Sequence, residues 1–268
     1  VNPLRCKPAS SMSRIRRRSG QAGQSMTEFI IIAPLLLFFC LAIVQFALMY
    51  QAKATLDVAV LEAAREGAVN HGSMRAMQRG LARGLMPLYA RTASAEGVAG
   101  AARLASLASI HAAVITIVNP TPEAIQAYAV PQRDMATGIT YTQIPNDSLA
   151  YRNSTPAPGT VSIQDANLLK IRVHYCYPMY VPLVNKVIYY ATNMIGNPGP
   201  SGILSDNSVG TGSQGNPGNP DNQCNIYLQD GVTSGRWPIG LESEMIVRMQ
   251  SSFRPSAAAD GLKPDEKP

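Results

Sequence analysis

The carboxylate of Glu28 and the thiols of Cys176 and Cys224 are the side chains whose type and placement invite a chemical reading in this 268-residue sequence. Glu28 is the fifth residue after Gly23 and stands at the head of residues 29–50, a run without Asp, Glu, Lys or Arg. An unpaired charge at the brink of hydrocarbon is costly, so a carboxylate there needs a partner or a purpose. Catalytic groups do not assemble from spacing. His71, His111 and His174 are far apart, and none has a second ligand at a helical or CxxC interval, so no metal centre is expected. No GxSxG elbow, Walker A loop or GxGxxG turn is present. The stretch from Asp206 through Asn207 and Ser208 to Gly210 approaches a DxSxS cation motif but lacks its last serine. Asp221 and Asn222 offer only two oxygens in a loop. The expectation is a protein without catalytic residues, cofactor or metal, acting through structure and not as an enzyme.

The element that must position Glu28 is a long helix. At 1.5 Å per residue, residues 29–50 extend about 33 Å, enough to cross a bilayer once. Residues 51–69, QAKATLDVAVLEAAREGAV, continue it with Ala52, Ala54, Ala59, Ala63 and Ala64 as strong helix formers, while Asp57, Glu62, Arg65 and Glu66 supply a polar side. Pro34 removes one helical hydrogen bond and predicts a kink or a loosened turn. The small residues Ala52, Ala59, Ala63 and Gly67 form a face that permits close helix contact, either with another subunit or with this chain's own domain.

A basic leader, a glycine, and a Glu at the fifth position opening an apolar helix resemble a type IV prepilin. Arg14, Arg16, Arg17 and Arg18 stand in the leader's place. The apolar run followed by the alanine-rich EAAREGA segment is similar to the TadE-like pseudopilins of the tight-adherence (Flp) pilus, over roughly residues 14–69. That resemblance implies removal of residues 1–23 by a prepilin peptidase, with Gly23 the last leader residue and Gln24 the new N-terminus. Glu28 then sits one turn from a free α-amine, where a helix N-terminus favours negative charge. In a filament the same carboxylate would meet a neighbour's amine and set the axial register, since a buried charge must be paired or neutralised. The implied fold is α+β and pilin-like, with a long N-terminal transmembrane helix packed on a small antiparallel sheet with additional helices. The implied partners are other minor and major pilins, the prepilin peptidase and an inner-membrane assembly platform, for a pilus used in surface attachment. An uncleaved signal-anchored envelope protein and a type II secretion pseudopilin are the alternative readings.

Charge placement agrees with export. Six of the 23 Lys and Arg lie upstream of Gly23, leaving 17 against 17 Asp and Glu, so the basic cluster is a topology signal and no nucleic-acid patch is expected. The implied location is the bacterial inner membrane, with the N-terminus cytoplasmic and the C-terminal domain periplasmic. In that oxidising compartment Cys176 and Cys224 favour one disulfide, with two free thiols as the alternative.

The expected division is a leader over 1–23, an N-terminal helix over 24–70 with its span at 29–50, an α+β domain over 71–253 and a disordered tail over 254–268. Within the domain, Met74, Met77, Leu81, Leu85 and Leu88 mark an amphipathic helix ending near Pro87. A second helix runs over 94–110, with Leu104, Leu107 and Ile110 in phase. Residues 114–118, VITIV, read as a strand buried on both faces, and Thr121 before Pro122 as the N-cap of a short helix. Residues 169–177 alternate apolar Leu169, Ile171, Val173, Tyr175 and Tyr177 with polar Lys170, Arg172, His174 and Cys176. A strand around Met245 and Val247 should pair antiparallel with it, bringing Glu242 or Glu244 opposite Lys170 or Arg172. Val184, Val187, Ile188 and Ala191 predict one more helix. Residues 196–222 are loop-forming, within the ring that a Cys176–Cys224 bond closes.

Overall fold

A computed structural model describes residues 24–135, 138–196, 198–199, 202–203, 224 and 237–258. The chain forms two compact units, Val1–Cys40 and Leu41–Pro268. The architecture is α+β, as the sequence implies.

Helix α1 (Gln24–Val69) is one helix that continues through Pro34. Up to Cys40 its described side chains are exposed or half-buried, Phe29, Ile31 and Leu37 among them. In the second unit α1 acquires a buried face. Gln45, Ala52, Leu56, Ala59, Val60, Ala63, Ala64 and Ala68 are all shielded from solvent. Their recurrence at three, four and seven residues is the helical period of a face that packs.

His71 and Gly72, both with positive φ, turn the chain into α2 (Met74–Tyr89). A Cβ on Gly72 would enter the ring of Phe253, so the turn needs glycine for space as well as for φ. Met74, Met77, Leu81 and Leu85 are buried, as their spacing predicts. Ser94 caps α3 (Ala95–His111), its hydroxyl accepting from the Gly97 amide. The apolar phase of α3 differs from expectation. Ala101, Ala105 and Ala108 are buried, whereas Leu104, Leu107 and Ile110 are exposed. The larger residues lose this competition because an alanine face lets the helix approach its neighbours more closely.

The sheet is built from β1 (Ala113–Asn119), β4 (Leu168–Pro178) and β7 (Pro238–Arg248), in the order β1-β4-β7 and antiparallel throughout. β1 is covered on one face, so Val114 is exposed while Ala113, Ile115 and Ile117 are buried, and the expectation of burial on both faces is corrected. Thr121 caps α4 (Pro122–Tyr128) through the Ala124 amide. A hairpin follows, β2 (Val130–Arg133) with β3 (Thr140–Gln143), and then a short α5 (Ile163–Ala166). Across the β4–β7 ladder Arg172 faces Glu244 and His174 faces Glu242. Lys170 pairs with Glu244 at 2.7 Å and Arg172 with Glu242 at 3.0 Å, the predicted opposition of charges.

After β4 comes α6 (Val184–Gly196), and the two-residue strands β5 (Pro198–Gly199) and β6 (Gly202–Ile203) pair with each other. The chain does not become disordered at residue 254. Arg254 pairs with Asp134 at 3.0 Å and stacks over Tyr141, and Pro255–Ala258 form a helical turn with Pro255 and Ala258 buried. The guanidinium has a carboxylate and a ring to hold it, which fixes the start of that segment. Residues 259–268 lie outside the described part.

Candidate functional site

Gly23 lies outside the described residues. Gln24 is the first residue of α1, and Glu28, four residues on, is exposed. That interval places a carboxylate one helical turn from the Gln24 amide nitrogen, whose charge state depends on whether the chain is cut before it. Among the described residues one helix, Glu28–Val69, contains a stretch long and apolar enough to cross a membrane.

Gln45, the one amide side chain in the charge-free run, was not singled out by the sequence reading. It is fully buried, and its Oε1 accepts a hydrogen bond from the Val181 amide at 2.9 Å. Val181 lies between β4 and α6, 136 residues away. Gln45 therefore marks where α1 stops being a bare apolar rod and becomes part of the folded domain. An available signal was its polarity, since a polar group within a hydrophobic span usually has a protein partner.

The small-residue face of α1 is consumed inside this chain. A Cβ on Gly80 would lie 2.8 Å from the Ala63 Cα, one on Gly84 would overlap Ala59, and one on Gly67 would lie 2.7 Å from Met77 Cγ. Gly80 and Gly84, four residues apart on α2, thus bring the two helix backbones together. Arg83 clamps the same pair of helices by bonding Glu62 at 2.9 Å and Glu66 at 2.8 Å. Of the two uses open to Ala52, Ala59, Ala63 and Gly67, the structure takes packing on the domain.

Further along α1, Lys53 reaches Asp57 and the Glu242 carbonyl, each at 2.6 Å, and Ser243 donates to Asp57 at 2.6 Å. These bonds fasten the helix to β7. Tyr89 and Tyr175 share a hydrogen bond of 2.6 Å between their hydroxyls, and burial raises both phenols above their ordinary pKa, Tyr175 strongly.

Cys176 and Cys224 are joined in a disulfide with Cα atoms 5.5 Å apart. Both are buried, and so is His174, whose Nε2 lies 3.4 Å from Cys224 Sγ. The alternating polar face of β4 is therefore covered at its far end, because the bridge lays Cys224 across it. Sequence spacing gave His174 no neighbour of this kind. The His174, Cys176 and Cys224 ligand atoms are all within 4.8 Å, yet thiolates rather than disulfide sulfurs bind metals, so in the oxidised state the group is a packed crosslink. Most of residues 196–222, which this bridge encloses, fall outside the described residues.

No curated protein and no solved structure matches this chain. One family model does match: it begins at Gly23, passes through Glu28 and the apolar run, and ends at Arg65, four residues before the end of α1. Residues 23–65 of this chain are a TadE-like segment, matched by the family model described as TadE-like protein.

Proposed function

We propose that this protein is a minor pseudopilin of a tight-adherence pilus, a structural subunit that takes part in initiating, capping or stabilising the filament and not in catalysis. The observation that carries the proposal is the coincidence of the TadE-like match with one continuous helix that has Glu28 at its fifth position after Gly23. On this reading the leader is removed after Gly23, α1 holds the protein in the inner membrane with its domain outside the cytoplasm, and Glu28 meets the amine of a neighbouring subunit during assembly. A chain with a domain of this size fits a minor subunit better than the bulk pilin, which needs little beyond the helix. The exposed Leu104, Leu107 and Ile110 on α3 offer that domain an apolar surface for a neighbouring subunit.

The test is the mature N-terminus, measured by mass spectrometry on membrane-extracted protein from cells with and without their prepilin peptidases. Gln24 should be the first residue only when a peptidase is present, and a Gly23→Ala variant should keep its leader. A Glu28→Ala variant should still be cleaved but should fail to enter sheared pili. A leader retained under every condition would refute the pseudopilin reading and leave an uncleaved signal-anchored protein.

A further inference from the structure

The corner between β4 and α6 exposes side chains of one character. Tyr180, Leu183, Val187 and Tyr190 are 45–66 % exposed; Val187 and Tyr190, three residues apart, share one face of α6, and Leu183, with φ of 67°, immediately precedes that helix. The only charge in residues 179–196 is Lys186, which shares that side, and no acidic residue occurs there. Behind the face lie Tyr189 and the sole tryptophan, Trp237, with ring centroids 4.9 Å apart; Tyr190 packs on Trp237 at 5.6 Å and the Lys186 ammonium lies 5.9 Å from that ring. Tyrosine, tryptophan and a long cationic side chain are the residues that sit at the boundary between hydrocarbon and water.

The Val181 amide ties this corner to Gln45 of α1. On the same turns of α1, Ile43, Val44 and Phe46 are 51–69 % exposed and wholly apolar. The run from residue 29 to residue 45 amounts to about 25 Å of helix, close to the thickness of a bilayer's hydrocarbon core. Seventeen predominantly apolar residues are enough for a span, so one that begins at residue 29 can end at residue 45, which leaves Gln45 and the Val181 amide bonded to it at the aqueous border.

We propose that the β4–α6 corner is a membrane seat, in which Tyr180, Leu183, Val187 and Tyr190 enter the headgroup region of the bilayer and Lys186 meets lipid phosphate. The seat fixes the domain against the membrane surface before a subunit leaves the bilayer, and it shortens the transmembrane part of α1 to residues 29–45. Residues 46–50, apolar as they are, then belong to the interface. This inference rests on α1 crossing the membrane and adds a second, peripheral attachment to it.

Trp237 serves as the reporter. The full chain is reconstituted into phosphatidylethanolamine and phosphatidylglycerol vesicles, with or without lipids brominated near the carbonyl end of the acyl chain, and its tryptophan emission is recorded. Bromolipid should quench Trp237, and the exposed-site variant Leu183→Glu with Val187→Glu should lose that quenching while remaining anchored and keeping the wild-type urea midpoint. A photoreactive residue at position 183 should label lipid. If the chain stays in the membrane pellet after alkaline carbonate but shows no quenching, or if position 183 labels a second protein chain instead of lipid, the seat is refuted and the face belongs to a subunit contact. Release of the wild-type chain by carbonate would overturn the spanning helix and the seat with it.

Discussion

Gly84 of α2 stands so close to Ala59 of α1 that a Cβ added to the glycine would overlap the alanine Cα. Helix propensity alone favours alanine over glycine by about 1 kcal/mol, so a Gly84→Ala change would stabilise an isolated helix. Here it must push two backbones apart. Gly84→Ala should lower stability despite the propensity gain, and Gly84→Leu should cost about 3 kcal/mol or more. Urea unfolding of the detergent-solubilised chain checks both, and a stabilised Gly84→Ala variant would show that the helices are not this close.

Removing the crosslink tests how far the domain depends on it. The bridge joins residues 48 apart, and loop entropy for a ring of that size corresponds to about 4 kcal/mol. Cys176→Ser, Cys224→Ser and chemical reduction should each lower the urea midpoint by a similar amount. Cys40, a free and exposed thiol on α1, should be replaceable by serine without effect on that midpoint.

Lys170 and Arg172 both hydrogen-bond Glu244, and this holds its carboxyl below the ordinary value of 4.5. A folded-state pKa lower than the unfolded one contributes stability above the unfolded value, and the contribution is lost as pH falls from there through the folded value. The side chains are a third or more exposed in part, so the cluster is worth about 0.5–1 kcal/mol. Glu244→Gln should be less stable than the wild type near neutral pH by about that amount, with the two curves converging once the medium is acidified below 4.5. A constant difference across the titration would mean that the carboxylate charge is not what matters.

Gln45→Leu separates the needs of the membrane from those of the domain. Leucine makes the span more apolar, so insertion should be undiminished. The Val181 amide, however, loses its acceptor in a buried place, at a cost of about 1–3 kcal/mol. Hydrogen exchange at Val181 should quicken in the variant, and protease should cut sooner between β4 and α6. Unchanged exchange would show that the Gln45 contact does not hold the corner.

Much of this protein follows from local chemistry. Twenty-two residues without charge followed by an alanine-rich amphipathic stretch can be little other than one long helix, and the alternation from Leu169 to Tyr177 can be little other than a strand with one core face. Thr121 before Pro122 determined a helix start because the cap and the fixed φ act within four residues. Opposite charges on β4 and β7 pointed to an antiparallel pairing of the two strands, while the register, with Arg172 opposite Glu244, came from the structure. The position of Glu28 relative to Gly23 is a property of spacing alone. What only the tertiary structure decided is which neighbour each face meets. Alanines displaced Leu104, Leu107 and Ile110 from the core of α3 because fit, and not hydrophobicity, chose the closer surface. By propensity alone Gly80 and Gly84 are weak points of α2, and only the close approach of α1 gives them a use. His174 met the Cys176–Cys224 bridge, and Gln45 met Val181, across 50 and 136 residues of chain, and side-chain pattern within either segment carries no information about a partner that far away.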